Sequence, residues 1–236
     1  MTNPAGAVLE LSDVSKDYRG LRPLRMAALT VQHGEHLAII GLDQTTAEVF
    51  VNLVTGATLP DRGDVRLFGR STASITDSAD WLAVVDRFGI VSPRAVLLES
   101  LTVVQNLSMP YTLEIEPPAD DIRQRAVALA RRVGLEDVVL DRPVGELGPS
   151  GLARVRLGRA LALDPAVVIL EHPTAGIPRE AAAALAARCR ALPVVTIALT
   201  ADAEFAESVA DRCLTLDPAT GRLSARSSWF SRFRRG

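Results

Sequence analysis

The sequence predicts an α/β protein whose core is a mostly parallel sheet with helices on both faces. Two short, wholly apolar runs, Leu37–Ile40 and Val167–Leu170, have the character of strands buried on both sides. The first ends at Gly41 and gives way to a helical pattern, and a strand, a glycine turn and a helix open a βα crossover. Beyond the second run, strand and helix patterns alternate to about residue 216.

In chain order, Val8–Leu11 and Leu29–Gln32 read as short strands around the turn-rich Arg19-Gly20 stretch. After the Leu37–Ile40 strand, residues 45–54 carry a helical stripe of Val49, Phe50, Leu53 and Val54. Residues 65–68 and 89–91 are further strands. From Ser92 to Ser150 the pattern changes, with an amphipathic helix over 122–133 that follows a Pro117-Pro118 loop. The expected division is therefore a core of residues 1–91 and 151–236, with a mostly helical subdomain, 92–150, set into it. The second core part should hold a helix over 151–162, the Val167–Leu170 strand, the alanine-rich helix 179–191, a strand over 194–199, a helix over 203–210 and a strand over 213–216.

Composition removes several classes of function. A net charge of −2 gives no basic field for nucleic acid. Cys189 and Cys213 lack metal-ligand spacing and make no disulfide framework, so a reducing compartment is expected. No basic region followed by an apolar run marks a signal peptide at the start, and no stretch approaches the ~20 apolar residues that cross a bilayer. Any membrane would be reached through a partner. The chain has a single lysine, Lys16; every other fixed positive side chain is an arginine.

Two segments carry chemistry. GLDQTTAEVFVNLVTGATLPDRGDVRLFGR, residues 41–70, is in register with a phosphate-loop region, in which G-x-x-x-x-G-K-[ST] is followed by a helix, Thr-Gly, Pro-Asp-x-Gly and a strand. GELGPSGLARVRLGRALALDPAVVILEHPTAG, residues 145–176, is similar to a signature helix running through Arg-Ala-Leu and Asp-Pro into a Walker B strand. Matched in this order and about 100 residues apart, the two segments make the chain resemble the ABC ATPase family over almost its whole length. The resemblance implies a P-loop NTPase-like core, an N-terminal antiparallel β subdomain and an inserted helical subdomain. It also implies head-to-tail pairing with a second ATP-binding-cassette subunit, docking on an ABC membrane subunit, and a cytoplasmic place at the inner face of the membrane.

The departures fall where the chemistry should be. In a phosphate loop, glycines let backbone N–H groups wrap the phosphates, a lysine reaches the β and γ oxygens, and Ser/Thr holds magnesium. Here Gly41 is kept, Asp43 sits inside the loop, and Thr46, Ala47 and Glu48 stand at the second glycine, the lysine and the Ser/Thr. Glu171 takes the Walker B aspartate's position and His172 that of the adjoining glutamate. The resemblance places Pro93 at the Q-loop glutamine, Pro178 at the aspartate after Walker B, and Ala201 at the switch histidine. The signature Leu-Ser-Gly-Gly-Gln reads Leu147, Gly148, Pro149, Ser150, Gly151. Tyr18 keeps the aromatic type on which the family stacks adenine.

Each of these positions has a plainer reading. Thr45 and Glu48 form a capping-box pattern, Thr45 as N-cap with Glu48 three residues on, so the helix would close on itself. Asp43 and Glu48 also suit the positive end of the helix dipole. The alternative is residual binding of ATP and magnesium. His172 is either a structural residue ending a strand or a base, and Tyr18 either stacks a ring or packs on the surface. Glu171 either caps a local network or holds magnesium. The tail Trp229-Phe230-Ser231-Arg232-Phe233-Arg234-Arg235 either contacts headgroups or a partner, or is a solvated terminus. The sequence therefore predicts a degenerate cassette subunit with no confident catalytic residue, no metal and no cofactor, in a structural or regulatory role. The competing readings are an ATPase that energises transport through an altered site, and a soluble scaffold without a membrane partner.

Overall fold

The computed structural model describes residues 6–226. Strands β1 (Leu9–Lys16) and β2 (Leu24–Val31) pair antiparallel, and β3 (His36–Ile40) leads through Gly41 into α1 (Gln44–Val54). Next come β4 (Arg62–Leu67), β5 (Arg70–Ser71), α2 (Ser78–Val85) and β6 (Phe88–Val91). Helices α3 (Val103–Ser108) and α4 (Asp120–Arg132) precede α5 (Pro149–Leu161), β7 (Val167–Glu171) and α6 (Arg179–Arg190). The chain continues with β8 (Val195–Leu199), α7 (Ala203–Val209), β9 (Arg212–Leu216) and β10 (Leu223–Ala225).

Two sheets result. The first is antiparallel, in the order β2-β1-β4-β5. The second runs β10-β9-β3-β8-β7-β6 and is parallel from β9 to β6, with only β10 reversed. The apolar runs behave as strands with two buried faces should. Val167 and Ile169 of β7 point into one core, and Val168 and Leu170 into the other. The first core lies between the two sheets, with Phe50, Leu53 and Val54 of α1 filling the gap. The second takes the apolar faces of α3 to α7.

Between β6 and β7 the regular structure is helical: α3, α4, short 3₁₀ turns at Asp137–Val139 and Val144–Glu146, and then α5. Buried residues of α3 and α4, such as Leu107 and Ala130, share their core with Leu185 of α6 and Phe205 of α7. That core is therefore continuous with one face of the main sheet.

Helix boundaries differ from expectation at two functional places. α1 begins at Gln44 with Asp43 as N-cap, so the expected Thr45–Glu48 capping box is absent. α5 begins at Pro149, two residues early, because proline at a first helical position gives up an N–H that has no intrahelical partner there. The tail 229–235 lies outside the described residues.

Candidate functional site

The site is built at the ends of β3, β7 and β6, with β8 lying between β3 and β7 in the sheet. Gly41 has φ +104, and an added Cβ would sit 2.7 Å from the Leu216 carbonyl oxygen, so only glycine turns the chain here without strain. Leu42 then anchors the loop in the core, which places Asp43 at the start of α1 in an extended conformation.

Asp43 closes the helix end. Its Oδ1 accepts from the Thr46 backbone N–H and from the Thr46 hydroxyl, both at 2.7 Å, while its carbonyl accepts from the Ala47 N–H at 2.9 Å. The hydroxyl and N–H bonds from Thr46 hold the carboxyl below the usual carboxylate range. The helix is thus capped by its own side chain, as the sequence suggested, but by a carboxylate rather than by Thr45. An aspartate three residues before the bonded N–H is as good a cap as threonine, and its charge suits the positive helix end. Asp43→Ala should cost about 1 kcal/mol in urea unfolding at neutral pH. Because the folded-state pKa is depressed, that contribution is present above the unfolded carboxylate pKa and lost as pH falls through the folded one. The gap between the two proteins should therefore close in acid.

Ala47, at the lysine position, is fully buried in the core between the sheets. Glu48 does not turn back to the loop. It makes an ion pair with Arg94 Nη1, because a full charge offers a stronger bond than the N–H of a helix end already capped. The other nitrogen, Arg94 Nη2, donates to Glu171 Oε2 at 2.8 Å. Glu171 is 0 % exposed and its Oε1 has no hydrogen-bond partner among the described residues. The two carboxylates raise the pKa of Arg94, the Glu171 bond first.

His172 directly follows β7 in a left-handed conformation, φ +43. Its N–H donates to the Leu199 carbonyl at 2.8 Å and its carbonyl accepts from the Ala175 N–H, so its backbone is the start of a turn. Its buried Nε2 lacks a partner among the described residues.

Tyr18 does reach the loop. With Gly41, Leu42, Thr46 and Leu216 it lines a cavity of about 40 Å³. Burial, then the charge of Asp43, pushes its phenol pKa up. A second cavity, about 300 Å³, brings together Pro93, Pro149, Glu171, His172 and Arg156. Of the signature positions, Gly148 caps α5, Pro149, Ser150 and Gly151 form its first turn, and Leu147 precedes them. Pro178 precedes α6, and Ala201 is exposed beside Asp202, which caps α7 through the Phe205 N–H at 3.0 Å. The residue missed by sequence reasoning is Arg94. No local signal marked it, since its partner Glu171 lies 77 residues away in the sequence.

A model of the ABC transporter family matches residues 24–175, more than half of the chain. The chain is 28% identical over 214 residues to the methionine import ATP-binding protein MetN of Brucella abortus (strain 2308), covering 89% of this chain and 57% of that protein. It is 30% identical over 212 residues to the lipoprotein-releasing system ATP-binding protein LolD of Alcanivorax borkumensis, covering 86% of this chain and 92% of that one. The chain thus spans little more than half the length of MetN but nearly all of LolD. Among solved structures, cbiO1 from Clostridium perfringens, part of the ABC transporter complex cbiONQ, superposes with a TM-score of 0.79 at 22% identity, over 97% of this chain and 91% of that one. A nucleotide-free ATP-binding cassette from an ABC transporter gives a TM-score of 0.79 at 16% identity, over 98% and 96% of the two chains. With the sequence family matched and the architecture shared, the chain belongs to the ABC transporter family and has the fold of its ATP-binding cassettes.

Proposed function

We propose that this chain is a non-hydrolysing ATP-binding-cassette subunit with a structural or regulatory role in a membrane transport complex. One observation carries the reading: the Arg94 guanidinium joins Glu48 and Glu171, the two residues standing where such a cassette would hold magnesium. The residues present do not fit a magnesium–triphosphate. A triphosphate at the start of α1 would meet the Asp43 carboxylate, which already takes the Thr46 N–H. No lysine reaches it, since position 47 is a buried alanine. The 40 Å³ beside Tyr18 is close to the share of one water, far below the ~300 Å³ of a small ligand pocket.

The comparisons support the setting. LolD and MetN are named as parts of a lipoprotein-releasing and a methionine import system, which favours a membrane subunit and a second cassette as partners here. No helix of the described residues is long and apolar enough to cross a membrane. Tyr18 beside the loop is the feature that favours the other reading, residual nucleotide binding.

The test is titration of the purified chain with ATP and magnesium, followed by calorimetry and by phosphate release. Neither heat of binding nor protein-dependent release is expected. Release that disappears in Glu171→Ala would establish an altered ATPase instead.

A further inference from the structure

We infer that Arg94 is a built-in counter-cation, which fastens the loop 92–102 to the core in one conformation with no bound ion or nucleotide. The inference goes beyond the functional reading, because it concerns what the chain's own charge does there.

An ordinary surface ion pair would not have this consequence. The Arg94 and Glu48 side chains are 38% and 43% exposed, so that arm alone is weak. The other arm differs, because Glu171 is wholly buried at the end of an interior strand. A carboxylate in that position needs a positive partner, and Arg94 is the one that reaches it. One planar guanidinium serves both acids through separate nitrogens, Nη1 to α1 and Nη2 to β7. That fork fixes the position of Arg94 against two elements at once, which a single ammonium point does less well.

The loop that carries Arg94 is held from its other side too. Arg156 and Arg159, one helical turn apart on α5, donate to the Ala95 and Val96 carbonyls at 3.3 and 2.7 Å. Fully buried Asn106 on α3 then binds Leu98 through its N–H and its carbonyl, both at 3.0 Å, and also reaches the Leu101 and Thr102 carbonyls. Three elements distant in sequence, α1, β7 and α5, therefore grip residues 94–96, and the adjoining α3 holds residues 98–102. Arg94 is the sole grip of these that depends on the carboxylates of the site.

Chemistry supplies a test. Without the guanidinium, Glu48 and Glu171 would face each other as two hard oxygen ligands, a pair that favours a divalent cation. Hydrogen exchange of residues 92–102 should be slow in the native chain and unchanged by millimolar calcium chloride. In Arg94→Gln the same residues should exchange at least about tenfold faster, since a charged hydrogen bond to a buried group has been lost. Calcium should slow that exchange and raise the variant's Tm, and adding Glu48→Gln should abolish the calcium response. Native-like exchange in Arg94→Gln, or equal protection of the native chain by calcium, would overturn the inference. If Arg94→Gln does not fold, Arg94→Lys decides: intermediate exchange confined to this loop supports the fork, and native exchange refutes it. Nucleotide binding by the native chain would sink the functional reading by a separate measurement, so the two failures are distinguishable.

Discussion

Arg94→Ala should lower stability by about 2–4 kcal/mol, seen as a reduced urea midpoint with an unchanged slope. The loss comes mainly from what is left behind. Glu171 is 0 % exposed, and its Oε1 already lacks a partner among the described residues, so deleting Arg94 leaves neither oxygen with a protein partner there. The figure is set below that for a fully buried pair because Arg94 is itself part-exposed, and water can enter where the guanidinium stood. Glu48→Ala removes the exposed arm only and should cost about 1 kcal/mol or less. Replacing Arg94 and Glu171 together by leucine should recover most of the loss, because no unpaired charge is then buried. Equal costs for Arg94→Ala and the double replacement would mean that Arg94 stabilises by packing rather than by charge.

How much of this was legible depends on which force set each feature. The buried strands β3 and β7 could be read directly, because strands with two buried faces are written as near-continuous apolar runs, and β8 keeps that character around Thr196. Helix α4 was legible from its periodicity and α6 from its run of alanines. α3 was not, since six residues make less than two turns and nearly all of them, the polar Asn106 and Ser108 included, are buried, which leaves no stripe. α2 has no buried residue to set a stripe. The phosphate-loop positions followed from the family resemblance, but the cap did not. Asp43 and Thr45 both carry an acceptor ahead of the helix, and the choice between them rests on where Gly41 and Leu42 turn the backbone. Arg94 was invisible for a topological reason. Its partner Glu171 is 77 residues away, and the two meet because β6 lies parallel to β7 with Val91 opposite Leu170. Once that pairing is known, residues just past Val91 must lie near residues just past Leu170. Nothing local to Ser92-Pro93-Arg94 announces it.

Phe50→Ala should be the most destabilising single change near the site, at about 3–5 kcal/mol. For a chain of this size that corresponds to a Tm lower by roughly 6–20 °C. Phe50 is 0 % exposed and lies on α1 between the two sheets. Among the described residues, α1 is the helix that supplies fully buried side chains to that core, so no neighbouring helix can slide in to fill the void. Sheets joined to the rest of the chain by hydrogen-bonded ladders close a cavity only partly, which puts the cost near the upper part of the usual range. Val49→Ala, one residue away on a half-buried face, should cost about 1 kcal/mol and serves as the control. The comparison also bears on function. In a cassette that binds nucleotide at the start of α1, saturating magnesium–ATP stabilises the native state by mass action and offsets part of such a loss. Here the helix start is already occupied by Asp43, and Glu48 by Arg94, so the Tm of Phe50→Ala should not move when magnesium–ATP is added. A rise of several degrees would show that the loop still takes nucleotide and that the capped helix end opens to receive it.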